Sequence, residues 1–359
     1  MNQQSMDGTA VVLCEGAFGT ASGKTAHGLV RYTDRYRVLG VIDSLWAGKD
    51  AGEVLDGQPR AIPVFRTLEE ALQIREEIQY LVIGLAPDGG RLPESYRPIV
   101  GAALRAGLHV DSGLHQFLGD DPEFVRLAGA HGVRIRDVRR PPSREHLHFF
   151  TGKIQEVTAV RIAVLGTDSA VGKRTTALKL TQALNALGCR TVMVGTGQTA
   201  WMQGIKHCII LDSLVSDFVT GEIEHIVHRA FVEERPQAII LEGQGALTHP
   251  AYPGGFELIV AGRPQGIVLQ HAPRRRHYDG FPEYPLSPVE REIQILELLA
   301  CAPVIALTLN HGGMADAEIS GELQACERRY GRPAFDVLKG GAERLARLVV
   351  TAFHLGRAG

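Results

Sequence analysis

Short apolar runs alternate with amphipathic helical patterns along the whole chain. The first part has apolar runs at residues 9–14, 36–43, 80–84, 107–111 and 132–136, and the second has them at 160–165, 189–194, 238–241, 266–270 and 302–309. Helical patterns, such as that of residues 68–75, occupy the intervals. Strands that alternate with helices indicate parallel sheets covered by helices. The pattern therefore predicts an α/β protein.

The two sets of strands are separated by a proline-rich stretch at Pro141, Pro142 and Ser143. A chain of 359 residues is long enough for about two hydrophobic cores. The alternation before the stretch implies a parallel sheet covered by helices, as in a Rossmann-like domain. We therefore predict one domain over residues 1–150 and a second over residues 151–359.

A glycine-rich loop opens the second domain, between an apolar run and a helical pattern. In this context backbone N–H groups and the helix N-terminus bind an anion, and a lysine reaches the terminal phosphates. The sequence thus predicts a Rossmann-like parallel-sheet domain followed by a P-loop NTPase-like α/β domain. The predicted phosphate-binding residues are Gly166, Thr167, Asp168, Ser169, Ala170, Val171, Gly172, Lys173, Arg174, Thr175 and Thr176.

The loop departs from the common P-loop motif in two ways. Five residues separate Gly166 from Gly172 where the motif has four, and Arg174 replaces the hydroxyl that normally binds Mg²⁺. Thr175 is the alternative metal ligand, one residue later. The structural alternative is an ordinary glycine turn that opens a helix. The sequence predicts phosphate binding and leaves the use of Mg²⁺ open.

Polar residues also follow the other apolar runs of the second domain, where ligands of parallel sheets bind. Glu242 is the leading acid, suited to orient Mg²⁺ or a catalytic water, and its alternative is a solvated or capping carboxylate. Gly197 and Gln198 are positioned to contact a substrate. The remaining candidates are His271, Arg274 as a clamp for phosphates or carboxylates, and Asn310 as a ligand of a purine edge.

Other polar clusters give weaker predictions. Glu222 and Glu224 fit an exposed acidic helix face, and Asp212 and Asp217 stay undecided between such a face and a cation site. In the first domain, residues 15–26 form a second glycine-rich segment that includes Lys24. Its glycine spacing fits no dinucleotide fingerprint, so NAD is not predicted, although Asp43 is placed to bind a ribose hydroxyl.

Composition and charge argue against a nucleic-acid-binding, a membrane-spanning or a secreted protein. The net charge of −2 gives no general attraction to nucleic acid or to membrane surfaces. No apolar run is long enough to span a bilayer, and the N-terminus lacks the layout of a secretion signal, so we expect a cytoplasmic protein. The five cysteines are scattered, without a C-x-x-C pair, and are predicted to be buried and reduced.

Two resemblances follow from these motifs. Residues 166–173 and 241–245 resemble the phosphate loop and the acidic strand end of dethiobiotin synthetase. Residues 15–19, 24–32, 172–176, 217–221 and 242–246 resemble, over nearly the full chain, a bacterial and archaeal family with a Rossmann-like N-terminal and a P-loop C-terminal domain. That family includes a D-glutamate N-acetyltransferase. The resemblance implies transfer of an acetyl group from acetyl-CoA to a D-amino acid, with D-glutamate as the expected substrate.

Acetyl transfer requires a base that takes a proton from the substrate amine, and Glu242, His249 and His271 are the candidates. A glycine turn at residues 243–245 is the candidate oxyanion hole. Arg274 or Lys24 is expected to bind the substrate carboxylates. CoA carries phosphates, so a P-loop is able to hold it without phosphoryl transfer.

Two alternatives remain from the sequence. One is an ATP- and Mg²⁺-dependent kinase or ligase, with Lys173 on the phosphates, Thr175 and Glu242 on Mg²⁺, and Asn310 on the adenine. The other is a nucleotide-binding protein without turnover. Either enzyme acts on a small molecule, and a homo-oligomer is expected because most soluble assemblies are symmetric homo-oligomers.

Overall fold

The computed structural model describes residues 6–75 and 77–356. The chain forms two compact units. The first contains Met1–Pro142 and Gly197–Lys206, and the second contains Ser143–Thr196 and His207–Gly359. The boundary therefore falls between Pro142 and Ser143, and ten residues from the second half of the chain belong to the first unit. The predicted division at residue 150 did not include this second crossing.

The elements of residues 6–142 alternate as the apolar runs predict. In chain order they are β1 (Gly8–Leu13), α1 (Lys24–Arg31), β2 (Tyr36–Ile42), α2 (Ala51–Asp56), β3 (Val64–Phe65), α3 (Leu68–Ile74), β4 (Tyr80–Ile83), α4 (Arg97–Arg105), β5 (His109–Ser112), α5 (Pro122–His131) and β6 (Ile135–Asp137). Side chains of Asp50, Thr67 and Asp121 cap α2, α3 and α5 by accepting from backbone N–H groups of the first turn.

Residues 143–356 continue the alternation. In chain order their elements are β7 (Val160–Gly166), α6 (Lys173–Ala186), β8 (Thr191–Gly195), α7 (Gln198–Met202), β9 (His207–Cys208), α8 (Ser216–Glu234), β10 (Ala238–Glu242), α9 (Phe256–Gly262), β11 (Gly266–His271), β12 (His277–Tyr278), β13 (Phe281–Pro285), α10 (Val289–Ala300), β14 (Val304–Leu309), α11 (Asp316–Tyr330), β15 (Ala334–Phe335) and α12 (Glu343–Ala352).

Each unit is built on one parallel sheet. The order in the first is β3-β2-β1-β4-β5-β6, and in the second it is β15-β14-β11-β7-β10-β8-β9. Strands β1, β7 and β10 are almost wholly buried, because helices cover parallel sheets on both faces. The predicted α/β fold class is confirmed. The antiparallel hairpin β12–β13 lies outside both sheets and was not predicted.

Helix α7 completes the core of the first unit. Met202 is fully buried in that core. The ring of Trp201 is contacted by two guanidinium groups, with the carbon of Arg35 at 3.7 Å and that of Arg136 at 4.5 Å from its centroid. Nε2 of Gln203 donates to the backbone oxygens of Gly28 and Tyr32 at 2.9 and 3.0 Å. These contacts are internal to the first unit.

The prediction of an exposed acidic face on α8 was wrong for Glu222 and Glu224. Both are buried, with 8% and 2% of their surface exposed. Glu222 accepts from the backbone N–H of His148 at 2.7 Å, and Glu224 accepts from that of Thr151 at 2.6 Å. The two carboxylates therefore hold the segment after the boundary against α8.

Three of the five cysteines are buried, as predicted, but Cys301 is exposed and Cys208 is partly exposed. Cys301 directly follows α10 and has a φ of 48°. None of the five, all of which the structure describes, forms a disulfide. Among the described residues, no helix combines the length and the apolar character that a membrane span requires.

Candidate functional site

The predicted P-loop connects β7 to α6 and is shaped to receive an anion. Ala170 and Gly172 have φ values of 50° and 113°, and such alternation curves the backbone so that successive N–H groups converge. Within the part of the chain that the structure describes, the N–H groups of Ala170, Val171 and Gly172 have no acceptor. These groups form a preformed cradle for phosphate oxygens.

Lys173 lies along this cradle. Its side chain is buried, and Nζ donates to the backbone oxygens of Asp168 and Gly245, both at 2.7 Å. Two of the groups that hold the ammonium are thus neutral backbone oxygens close to the loop. A phosphate in the cradle offers it a charged acceptor instead, which makes a stronger hydrogen bond.

The carboxylate of Asp168 holds the P-loop in its conformation through buried hydrogen bonds. It is completely buried, and its Oδ2 accepts from Arg275 at 2.7 Å and from the backbone N–H of Asp279 at 3.0 Å. Arg275 also donates to the backbone oxygen of Ser169 at 2.7 Å, and the Ser169 hydroxyl donates to Asp279 at 2.8 Å. The loop is therefore joined to the β12–β13 hairpin by a charged network.

His249 belongs to the same network. Its Nδ1 accepts from the backbone N–H groups of Ala251 and Tyr252 at 3.1 and 3.0 Å, so the neutral ring carries its proton on Nε2. Nε2 lies 3.3 Å from Oδ1 of Asp168, outside hydrogen-bond geometry. Burial lowers the pKa of His249. Neither nitrogen has a lone pair for a substrate, so this geometry argues against the predicted role as a base and favours a structural one.

His271 ends β11, where its Nδ1 lies 2.9 Å from the Thr167 hydroxyl. Burial and the charges of Arg329 and Arg275 lower its pKa to about 4. The preceding Gln270 is buried, and its Oε1 accepts from the hydroxyls of Thr176 and Thr308 at 2.5 and 2.7 Å. His271 therefore stays neutral near pH 7 and is a weak base there.

We expect stability to depend on the protonation of His271. Its pKa is lowered on folding, so its contribution to stability is complete above the unfolded value near 6.5 and is lost as the pH falls towards 4. Between pH 6.5 and 5 this one group should lower the free energy of unfolding by about 1.5 kcal/mol. Urea denaturation at several pH values checks this: replacing His271→Asn should flatten the decline relative to the natural chain, and an unchanged decline contradicts the prediction.

Glu242 lies at the end of β10, with 6% of its surface exposed. Oε2 accepts from the backbone N–H of Thr196 at 3.0 Å. Burial raises the pKa of Glu242, while the nearby charges of Arg174 and Lys173 and the Thr196 hydrogen bond oppose that rise. A carboxylate with a raised pKa beside a phosphate cradle is suited to accept a proton near neutral pH.

The glycine turn after Glu242 supplies only part of the predicted oxyanion hole. The N–H of Gly243 donates to the backbone oxygen of Val164 at 3.0 Å. Among the described residues, the N–H groups of Gln244 and Gly245 have no acceptor. Those two groups, rather than that of Gly243, are available to a developing negative charge.

Two other candidates of the second unit, Asn310 and Arg274, have structural contacts. Asn310 donates from Nδ2 to the backbone oxygen of Val171 at 3.0 Å and accepts from Gly312 N–H through Oδ1 at 2.9 Å, so it supports the P-loop. Arg274 pairs with Glu318 at 2.5 Å, and both side chains are exposed. Thr175 lies in the first turn of α6 and is partly exposed. Their predicted roles towards purine, substrate carboxylate and Mg²⁺ stay predictions.

The remaining predicted site residues belong to the first unit. Lys24 begins α1 and is exposed, whereas Gln198 is buried against Gly113, where an added Cβ would lie 2.8 Å from its Cγ. Asp43 is fully buried and accepts from the backbone N–H groups of Phe18 and Leu45, both at 2.9 Å. It is therefore engaged within the protein and is not placed to bind a ribose.

Comparison with known proteins places these two units in a family. The model of the P-loop domain of DUF1611, a domain of unknown function, matches residues 148–346. The chain belongs to the DUF1611 family. The Rossmann-like N-terminal domain of DUF1611 matches residues 45–141. The predicted pairing of a Rossmann-like and a P-loop domain is thus confirmed.

Individual relatives agree with the family assignment. A D-glutamate N-acetyltransferase of Tritonibacter scottomollicae is 31% identical over 288 residues, which cover 78% of this chain and 83% of that protein. A protein of the same name from Pseudoalteromonas sp. is 28% identical, covering 74% and 79%. The crystal structure of a DUF1611 protein from Anabaena variabilis is 30% identical, with a TM-score of 0.88 over 96% of this chain and 99% of that one. None of these is a dethiobiotin synthetase, so that resemblance stays a prediction.

Proposed function

We propose that this protein is an N-acetyltransferase that moves an acetyl group from acetyl-CoA to the amine of a D-amino acid, with D-glutamate as the expected substrate. The observation that carries the proposal is its similarity, over about three quarters of the chain, to two proteins named D-glutamate N-acetyltransferase. The phosphate cradle and the buried acid beside it support the proposal, because CoA carries phosphates and amide formation needs a base.

The P-loop is the proposed CoA phosphate site. The N–H groups of Ala170, Val171 and Gly172 fit phosphate oxygens, and Lys173 adds a charge. Arg174 and Lys173 also bring positive charge close to Glu242. Two side-chain cations near this acid favour a site in which the protein itself, and not Mg²⁺, supplies the positive charge for phosphates. This arrangement supports CoA over Mg·ATP as the ligand.

Glu242 is the proposed general base. Acetyl-CoA supplies an acetyl group on a thioester, and only an unprotonated amine attacks it. The Glu242 carboxylate accepts the proton from the substrate ammonium group, which leaves the nitrogen lone pair free to form the amide bond. Gln244 and Gly245 offer the two N–H groups available for the carbonyl oxygen as it gains charge. The carbon–sulfur bond of the thioester then breaks, and the second proton that the nitrogen loses as the amide forms goes to the departing CoA sulfur, while the proton on Glu242 is released to water.

Replacing Lys173→Ala should weaken acetyl-CoA binding about 10- to 100-fold, because a hydrogen bond between charged groups contributes about 1.5–3 kcal/mol. Calorimetric titration with acetyl-CoA, CoA and Mg·ATP measures this. Lys179→Ala, further along α6, is the matched control and should bind as the natural chain does.

Release of the CoA thiol in the presence of D-glutamate tests the chemistry. Thiol release that needs both substrates and is lost in Lys173→Ala supports acetyl transfer. Preferential binding of Mg·ATP, with no release of the CoA thiol from acetyl-CoA in the presence of any D-amino acid, would overturn the proposal. It would favour phosphoryl transfer or carboxylate activation.

A further inference from the structure

A cavity of about 330 Å³ lies between α11, the end of β15 and the start of α12. Its wall is mainly apolar and is formed by Ile319, Leu323, Ala334 and Phe335. Gly340 and Gly341 line another side and leave room because they carry no side chain. A cavity of this size and character suits a small ligand or a flat part of a larger one.

The cavity and the P-loop lie at the same edge of one sheet. Thr308 of β14 pairs with Phe335 of β15, so the two strands end side by side. Just beyond β14, Asn310 donates to the backbone oxygen of Val171 in the P-loop, and His311 lies 2.6 Å from Asp336 at the cavity. Strand β15, at the cavity, is three places from β7, which leads into the P-loop. At the usual strand spacing the two strands are about 14 Å apart. One extended ligand can therefore occupy both places.

The rim of the cavity carries two cations, Lys339 and Arg344, and two carboxylates, Asp316 and Asp336. Arg344 is exposed, its guanidinium carbon lies 5.7 Å from the ring centroid of Phe335, and the described residues contain no carboxylate paired with it. Lys339 pairs with Asp316 at 2.7 Å, but both are well exposed, and such pairs are weak. Asp336 accepts from His311 and from two backbone N–H groups, so both of its oxygens already have hydrogen-bond donors.

Three features lie at the same edge of the sheet: an apolar slot, an unpaired guanidinium beside it, and a phosphate cradle. They match a flat ring, a phosphate and a diphosphate that belong to one ligand. We propose that the cavity holds the adenine ring of CoA and that Arg344 binds its 3′-phosphate. This inference rests on the proposed function. Arg344 then selects CoA over ATP and over dephospho-CoA, because neither of those has a phosphate at this position.

Titration with CoA and with dephospho-CoA tests the assignment of Arg344. The natural chain should bind CoA about tenfold more tightly, because a charge-assisted hydrogen bond is lost with the 3′-phosphate. Arg344→Ala should lower CoA affinity about tenfold and leave dephospho-CoA affinity unchanged. Arg347→Ala, exposed on the same helix, is the matched control. Equal losses for both ligands, or no preference in the natural chain, would overturn the role of Arg344.

A second variant tests the adenine slot. Ser320 lines the cavity and is exposed, so Ser320→Trp fills the slot without disturbing the core. It should weaken CoA and dephospho-CoA alike, at least about tenfold, and should leave pantetheine binding unchanged. Adenosine 3′,5′-bisphosphate, which has the ring, a 3′-phosphate and a 5′-phosphate but no acyl carrier, should be bound more weakly by both Ser320→Trp and Arg344→Ala.

These probes separate this inference from the proposed function. Binding of adenosine 3′,5′-bisphosphate that is weakened in both Arg344→Ala and Ser320→Trp, without acetyl transfer by the natural chain, keeps the cavity assignment and overturns the proposed function. Acetyl transfer with CoA affinity that depends on Lys173 but is unchanged in Arg344→Ala and Ser320→Trp keeps the function and overturns the cavity assignment.

Discussion

Replacing Arg275→Ala is expected to lower the free energy of unfolding of the P-loop unit by about 3–5 kcal/mol. The substitution leaves the completely buried carboxylate of Asp168 without its cation, while two backbone N–H groups and the His249 ring remain beside it. The backbone oxygen of Ser169 loses its donor as well. Urea denaturation of the full chain, with the P-loop unit followed separately because two-unit chains need not unfold in one step, measures the loss.

The neighbouring Arg274 provides a matched control. It also pairs with a carboxylate, that of Glu318, but both side chains are more than 40% exposed. An exposed pair contributes at most about 1 kcal/mol, so Arg274→Ala should be nearly neutral. Similar small losses in both variants would show that the buried network does not stabilise the loop. Combining Arg275→Ala with Asp168→Asn should recover part of the loss, because the second change removes the buried charge.

Replacing Gly245→Ala is expected to cost about 2–5 kcal/mol and to weaken phosphate binding. Its φ is 45°, a conformation that disfavours a side chain, and an added Cβ would lie 2.0 Å from the backbone oxygen of Tyr252. The displaced turn also carries the oxygen that accepts from Lys173. Thermal unfolding and acetyl-CoA titration of the same variant measure the two effects.

Gly280→Ala is the control that separates the two costs of Gly245→Ala, the steric contact of the new Cβ and the strain of a positive φ. Gly280 also has a positive φ, of 80°, but an added Cβ would meet nothing within 4 Å. The Gly280→Ala substitution should therefore lower the free energy of unfolding by only about 1–2 kcal/mol. If Gly245→Ala is no less stable than Gly280→Ala, the turn after Glu242 tolerates a side chain and is not tightly packed. Failure of Gly245→Ala alone to give soluble protein agrees with the prediction.

The regular part of the fold was predictable because it depends on local pattern. Buried strands such as β7 and β10 are largely apolar runs, and the loop of residues 167–172 lies between such a run and a helix, as a phosphate-binding loop requires. Glu242 was found because it directly follows such a run. These features need no knowledge of which distant residues meet.

The parts that were missed depend on distant contacts. Glu222 and Glu224 have the spacing of a solvated helix face, and only the return of residues 148–154 along α8 buries them. Arg275 was overlooked in favour of Arg274, because only the fold of the β12–β13 hairpin decides which of two adjacent arginines faces Asp168. His249 was a candidate base until its two backbone donors were known.

The position of α7 also constrains how the protein is made. Trp201, Met202 and Gln203 complete the first unit, yet they are translated after β7, α6 and β8 of the second. At about 5–20 residues per second, the ribosome delivers them some seconds after Pro142. During that interval the core surface of the first unit that Met202 will cover lacks its partner, so the first unit cannot complete its core until part of the second has been made.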